Sequence, residues 1–183
     1  MFQSVFFTDR RKVSDFKKVI ESLPRNSVVI IREYDLLRAE REIFAREILN
    51  LARSKGFKIL VGKDLFLAKK IKADGVHFSD FDRLPMYFLR RINFIFSFSC
   101  HSLKSFLRAQ RLSPDMVFIS PIFPTSSHKE KKPLGLRGLA KIITKNQNLL
   151  PVYALGGVDS VNIKSLKKLK LAGFGAINFF QKD

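Results

Sequence analysis

Short and almost wholly apolar runs recur along the chain at residues 5–8, 28–31, 58–61, 75–78, 94–98, 116–120, 151–155 and 174–179. Their length and their Val, Ile and Phe content suit strands. Between them lie stretches in which apolar residues return at the helical period among long charged ones. The clearest spans 37–54, where Leu37, Ile43, Phe44, Ile48, Leu49 and Ala52 form a stripe beside Arg and Glu. Strand and helix therefore alternate. Strands that are apolar throughout are buried on both faces, and helical crossovers imply parallel pairing, so helices must cover the sheet. An open doubly wound sheet and a closed barrel both satisfy this. Eight units favour closure, which removes both edges and leaves an interior that side chains can fill. The predicted fold is α/β: one (βα)8 TIM barrel over residues 1–183, in a short form whose last outer helix is largely absent or supplied by a partner.

Local signals mark the boundaries. Ser14 and Asp15 precede the first helical stretch, Gly56 follows the second, Ser102 precedes the one at 103–112, and Asp159-Ser160 precede the seventh. The stretch 121–135, rich in Pro, Ser, Thr and Lys, has neither period. It follows the sixth strand, where a barrel keeps its chemistry, and is a candidate lid.

Composition adds one outlier. The chain is 46% hydrophobic with 19 Phe and no Trp, yet its 34 Lys and Arg against 16 Asp and Glu leave a net charge of +18. Such a field attracts phosphorylated ligands, nucleic acid or an anionic membrane. The basic residues alternate with apolar ones along helices, as at Arg90-Arg91 and from Lys164 to Lys170, which is the pattern of solvated helix faces. The expected partners are small-molecule phosphates, with no nucleic acid and no membrane; a homodimer stays open. A lone cysteine, Cys100, forms no internal disulfide, no apolar run is long enough to span a bilayer, and the first residues read as a strand rather than a secretion signal. A cytoplasmic protein is expected.

In a barrel of this type the C-terminal ends of the strands share one mouth. That filter selects Arg32, Glu33, Lys63, Asp64, His77, Asp80, Asp82, Ser99, His101, the segment from Thr125 to Lys129, Gly156-Gly157 and Asn178. Arg32 offers a planar fork for phosphate, unless Glu33 pairs with it. Asp80 and Asp82 are hard oxygen donors of the kind Mg2+ takes. Thr125, Ser127, His128 and Lys129 combine hydroxyls with cationic groups suited to an anion. Gly156-Gly157 permits close backbone approach to a phosphate, or marks only a tight turn. His77, His101 and His128 have no zinc-ligand spacing, and Ser99, Cys100 and His101 alternate in direction along a strand, which argues against a nucleophile–base pair.

At these positions the chain resembles the thiamine phosphate synthase and thiazole tautomerase superfamily, nearly end to end. The resemblance is carried by Phe6-Phe7-Thr8-Asp9-Arg10, Ile31-Arg32-Glu33, Leu67-Ala68, Ala73-Asp74-Gly75-Val76-His77 and Ser99-Cys100-His101-Ser102. Further on it is carried by Ser120-Pro121-Ile122-Phe123-Pro124-Thr125, Pro133-Leu134-Gly135 and Ala154-Leu155-Gly156-Gly157-Val158. It implies coupling of hydroxymethylpyrimidine diphosphate to a thiazole phosphate, with Mg2+ and cationic groups holding the departing diphosphate. Arg32, Ser99, Thr125 and Ser127 would face the diphosphate or pyrimidine, Asp82 would bind the metal, and Gly156-Gly157 would take the thiazole phosphate. The chain departs from the synthase pattern at several places. Gly62-Lys63 stand where the pattern has Asn-Asp, which turns a magnesium carboxylate into a cation that can contact phosphate directly. Ile30 and Tyr34 replace the Gln and Lys beside the strand-two Arg, His128 precedes Lys129 where one Lys is expected, and Asn178 replaces the final-strand Ser. Pro121 replaces the His of the tautomerase branch, so a synthase is the expectation. The alternative is a non-catalytic or regulatory barrel that binds thiamine-related phosphates.

Overall fold

The computed structural model describes residues 2–82, 93–125, 132–147 and 149–181. Eight parallel strands close into a barrel in chain order: β1 (Gln3–Phe7), β2 (Val28–Ile31), β3 (Lys58–Gly62), β4 (Gly75–Ser79), β5 (Ile95–Cys100), β6 (Met116–Ile119), β7 (Val152–Leu155) and β8 (Gly173–Ala176). Six helices lie among the described residues: α1 (Phe16–Ser22), α2 (Arg38–Ser54), α3 (Leu65–Lys70), α4 (Leu103–Leu112), α5 (Gly135–Ile143) and α6 (Ile163–Leu166). None is long and apolar enough to cross a membrane. Arg90 and Arg91, and the middle of the 121–135 segment with Ser127, His128 and Lys129, lie outside the described residues.

The alternation of side chains along a strand divides the apolar residues into two cores. Val5, Phe7, Val28, Ile30, Leu60, Met116, Phe118 and Tyr153 point inward and fill the barrel. Their neighbours Phe6, Val29, Ile31, Ile59, Val61, Phe98, Val117, Ile119 and Phe174 point outward under the helices. The inner core is aromatic. The ring of Phe118 lies 5.1 Å from both Phe7 and Tyr153, edge-on to the first. Below it Tyr153 donates to Gln3 Oε1 at 2.6 Å, which plugs the N-terminal end of the barrel.

The predicted helix boundaries stand in three places and shift in a fourth. Asp15 accepts from the Lys18 N–H at the start of α1, Ser102 caps α4, and Gly56, at φ +71°, ends α2. At the seventh crossover Asn162, not Asp159 or Ser160, is the N-cap, and Asp159 instead closes the preceding turn by accepting from Val161 and Asn162. The stripe expected on α2 stands at Ile48, Leu49 and Ala52, with Phe44 partly buried beside them, and fails at its start. Leu37 and Ile43 are 73% and 71% exposed, and the face against the sheet is Arg41, Ala45, Ile48, Leu49 and Ala52. Small residues at Ala45 and Ala52 allow close approach to the strands, and that approach sets the buried face.

The last strand is shorter than its apolar run. It ends at Ala176, and Asn178–Phe180 wind into a 3-10 turn. Phe180 packs on Phe6 and Phe174 outside the β8–β1 seam, in the position an eighth helix would cover. At the seam itself Gly173 is required, because a Cβ there would lie 2.0 Å from the Gln3 carbonyl oxygen.

Candidate functional site

The C-terminal strand ends surround a cavity of about 500 Å3. Arg32, Lys63 and Ser99 line it from β2, β3 and β5, and Thr125, Gly156, Gly157 and Asn178 line it from the segments after β6, β7 and β8. With His77 and His101, nine of the predicted positions thus share one pocket. Its floor is Phe7 and His77, whose rings meet edge-on at 5.3 Å.

One wall is built from charged side chains. Arg41, 9% exposed on the inner face of α2, donates to the carbonyl oxygens of Arg32 at 2.9 Å and Gly62 at 2.6 Å, and pairs with Asp64 at 3.4 Å. It therefore clamps the ends of β2 and β3 together. The Glu33 carboxylate accepts from the Thr8 hydroxyl and from the backbone N–H groups of Arg10 and Arg32, so it anchors the turn instead of neutralising the Arg32 guanidinium. Asp64 caps α3 through the Leu67 N–H, which turns it away from the cavity. Tyr34 serves as a platform: the charged ends of Lys63, Arg41 and Arg32 lie 5.1, 5.4 and 5.9 Å from its ring centre. Lys63 also reaches Asp82, with Nζ 2.9 Å from Oδ1, and the other Asp82 oxygen accepts from the N–H and hydroxyl of Ser79. Partial burial alone would raise the Asp82 pKa, but the Lys63 ammonium and the Ser79 donors hold it below the usual carboxylate range.

The centre of the floor is neutral. His77 is buried, with Nδ1 2.8 Å from Ser97 Oγ and Nε2 3.1 Å from Ser99 Oγ. Burial, reinforced by the Arg32 charge, pushes its pKa down to about 3, so the ring is uncharged and fixes the Ser99 hydroxyl by hydrogen bonding alone. Beside it, His101 Nδ1 lies 2.6 Å from Asp80 Oδ1. Burial by itself would raise the Asp80 pKa; donors from His101 and Ser105 outweigh that and hold it at about 2. Cys100 points away into the outer core, where burial raises its thiol to about 12 and leaves no thiolate.

The opposite wall is built from backbone. After a cis Ser120–Pro121 bond, the N–H groups of Ile122 and Phe123 donate to the carbonyls of Leu155 and Gly156, both at 3.0 Å. Leu134 and Gly135 return to Pro121 and Ile122 at 3.0 and 2.9 Å, so both described ends of the 121–135 segment are tied to the barrel. Gly156 and Gly157 have φ of +90° and +68°, and a Cβ on Gly157 would stand 2.4 Å from the Pro124 carbonyl oxygen. Both the left-handed conformation and the close approach demand glycine here. Asn162 Nδ2 donates to the Gly157 carbonyl and steadies the turn. Asn178 enters the cavity from the 3-10 turn, not from the strand on which it was expected.

The donor set does not fit a resident Mg2+. Asp82 is the carboxylate expected to bind the metal, and both its oxygens are engaged by Lys63 and Ser79. No group of three His, Cys, Asp or Glu able to hold a metal occurs among the described residues. A divalent cation here would sit beside an ammonium.

Three features of the site escaped the sequence: Arg41 as a clamp, Lys12 on the rim and Ser97 beneath His77. Arg41 left a signal, a charged residue on the buried stripe of α2, four before Ala45 and seven before Ile48. Lys12 and Ser97 left none.

The profile of the family described as thiamine monophosphate synthase matches residues 4–179. A protein of Aquifex aeolicus named "Putative thiamine-phosphate synthase 2" is 35% identical over 178 residues, covering 94% of both chains. The thiamine-phosphate synthase of Clostridium tetani is 29% identical over 178 residues, covering 93% of this chain and 84% of its own. Among solved structures, thiamine phosphate pyrophosphorylase from Pyrococcus furiosus superposes with a TM-score of 0.81 at 25% identity, over 97% of this chain and 85% of that one.

Proposed function

The chain belongs to the thiamine monophosphate synthase family, and on that premise we propose that it is a cytoplasmic transferase joining hydroxymethylpyrimidine diphosphate to a thiazole phosphate. The observation that supports this reading most directly is that Arg32, Ser99, Thr125 and Gly156, which lie far apart in sequence, line one cavity.

The reaction breaks the bond between the pyrimidine methylene carbon and the ester oxygen that joins it to the α-phosphorus of the diphosphate. The electron pair leaves with the diphosphate, and the thiazole nitrogen donates its lone pair to the methylene carbon to form the new C–N bond. No proton need be removed for that bond to form, so the protein's task is to stabilise the departing charge and align the partners. In this reading Arg32 and Lys63 hold the diphosphate. Ser99, fixed by the neutral His77, meets a polar edge of the pyrimidine, and Thr125 adds a hydroxyl beside the diphosphate. Gly156-Gly157 give the thiazole phosphate a close backbone approach, with Asn178 beside it. Ser127, His128 and Lys129 remain part of the proposed anion site on their chemistry alone. The Phe7 floor keeps water from the cavity below, which protects a cationic pyrimidine from hydrolysis.

The test is incubation of purified protein with both substrates and chromatographic detection of thiamine phosphate. Product formation at a rate proportional to protein is expected. One observation favours a second reading: the Lys63–Asp82 pair stands where the synthase pattern places a metal carboxylate. Binding of either substrate by calorimetry without product would establish that reading, a barrel that binds thiamine-related phosphates without turnover.

A further inference from the structure

We infer that the Lys63 ammonium takes the place of a divalent cation at the mouth of the barrel, so that this chain binds a diphosphate group without metal. The inference rests on the reading above that the cavity holds a diphosphate.

Three unusual residues form a single construction. Tyr34 Oη lies 2.5 Å from where a Cβ on residue 62 would stand, so Tyr34 can occupy its place only because residue 62 is glycine. The Tyr34 ring then lies 5.1 Å from Lys63 Nζ and supports the ammonium from one side. Asp82, 2.9 Å away, holds it from the other. Lys63 itself has φ +61°, a conformation rare for a residue with a side chain, and it is fixed by donation of its N–H to the His77 carbonyl at 2.8 Å. The chain thus accepts local strain to present a cation at the end of β3.

Charge counting points the same way. Two carboxylates at the ends of adjacent strands carry two negative charges and require a divalent cation before an anion can approach. One carboxylate with one ammonium is already neutral. Changing a carboxylate to an ammonium alters the local charge by two units, the charge a divalent ion brings. Arg32 on the same cavity then supplies positive charge for the anion. A divalent cation would also have to displace the Lys63 ammonium from the one carboxylate that would hold it, Asp82.

The experiment is calorimetric titration of the full chain with inorganic pyrophosphate, in buffer containing EDTA and in buffer containing excess Mg2+. For the unaltered chain, the affinity in EDTA is expected to be within about threefold of that in Mg2+. Lys63→Met should lose at least about tenfold in EDTA, while Lys63→Asp should bind pyrophosphate only when Mg2+ is supplied. Circular dichroism and thermal unfolding of each variant separate loss of binding from loss of fold. If Lys63→Met fails to fold, the EDTA comparison on the unaltered chain still decides the matter. Pyrophosphate bound only with Mg2+ by the unaltered chain overturns the inference and leaves the diphosphate site standing. Undiminished affinity in a folded Lys63→Met protein overturns it too. No binding under either condition overturns both the inference and the reading it rests on.

Discussion

The two walls of the cavity are built by different means, and in the function proposed above both would hold anionic groups. Between β2 and β4 the work falls to side chains: Arg32, Lys63 and Asp82 around Tyr34, with Arg41 clamping the backbone behind them. Between β6 and β8 it falls to backbone, with Gly156 and Gly157 in left-handed conformation against a stitched loop. A side-chain wall can change its charge while the fold persists, since a long side chain ending in solvent asks little of its neighbours. A backbone wall cannot, because its shape depends on atoms that any side chain would displace. On the charged wall Tyr34, Gly62 and Lys63 depart from the pattern the chain resembles, and on the backbone wall the glycine turn Ala154-Leu155-Gly156-Gly157-Val158 keeps it while the side chain of Asn178 beside it does not.

The sharpest way to break this contrast is Gly157→Ala. The new methyl must enter space within 2.4 Å of the Pro124 carbonyl oxygen at a φ of +68°. A loss of about 3 kcal/mol is expected, combining left-handed strain with displacement of backbone. Thermal unfolding should fall by roughly 10 °C. An unchanged melting temperature would show that the backbone wall is no more constrained than the charged one.

Next in size is Arg32→Ala, which removes a charged fork and leaves the Glu33 carboxylate with its backbone donors. Pyrophosphate affinity should fall by about tenfold or more with the melting temperature held within roughly 2 °C. Equal loss of stability and affinity would mean that Arg32 supports the fold as much as the ligand.

Smaller again is a pH effect centred between the walls. The folded pKa of His77 is about 3 and its unfolded value near 6.5, so in that interval the unfolded chain binds the extra proton. Stability is therefore full above about pH 6.5 and declines as pH falls toward 3, by at most about 1.4 kcal/mol per unit. Denaturant titrations at pH 6 and pH 5 should show a loss of roughly 1 kcal/mol, and His77→Gln should flatten it. Parallel slopes in the two proteins would place the titrating group elsewhere. The smallest change belongs to Thr125→Ala, which removes a single hydroxyl. A two- to fivefold weakening of pyrophosphate binding with no change in melting temperature is expected.

The barrel was readable because its apolar runs encode burial directly: 28–31 is a strand end to end, the run at 116–120 loses only Ser120, and inward and outward residues sort by parity. The run at 174–179 misled because Phe179 and Phe180 are as apolar in a 3-10 turn packed on Phe174 as they would be in a strand. The α2 stripe misled for a related reason. Hydrophobicity alone put Leu37 and Ile43 on the face and left out Ala45, because close approach is decided by size, while Ile48, Leu49 and Ala52 lie where the stripe placed them. In the site, positions at strand ends were legible and partnerships were not. The pairing of Asp82 with Lys63 was not legible, because nothing in the sequence says that the side chain after Gly62 folds across to meet it.

The seam between β8 and β1 has its own consequence. Every other pair of neighbouring strands is joined through one crossover, whereas Phe6 meets Ala176 only when nearly all the described chain is in place. β8 is four residues long and two of them are glycine. If the cylinder cracks, it should crack there first, springing into a curled ribbon with raw margins that invite association with other molecules. Phe180, wedged over that joint, acts as its latch.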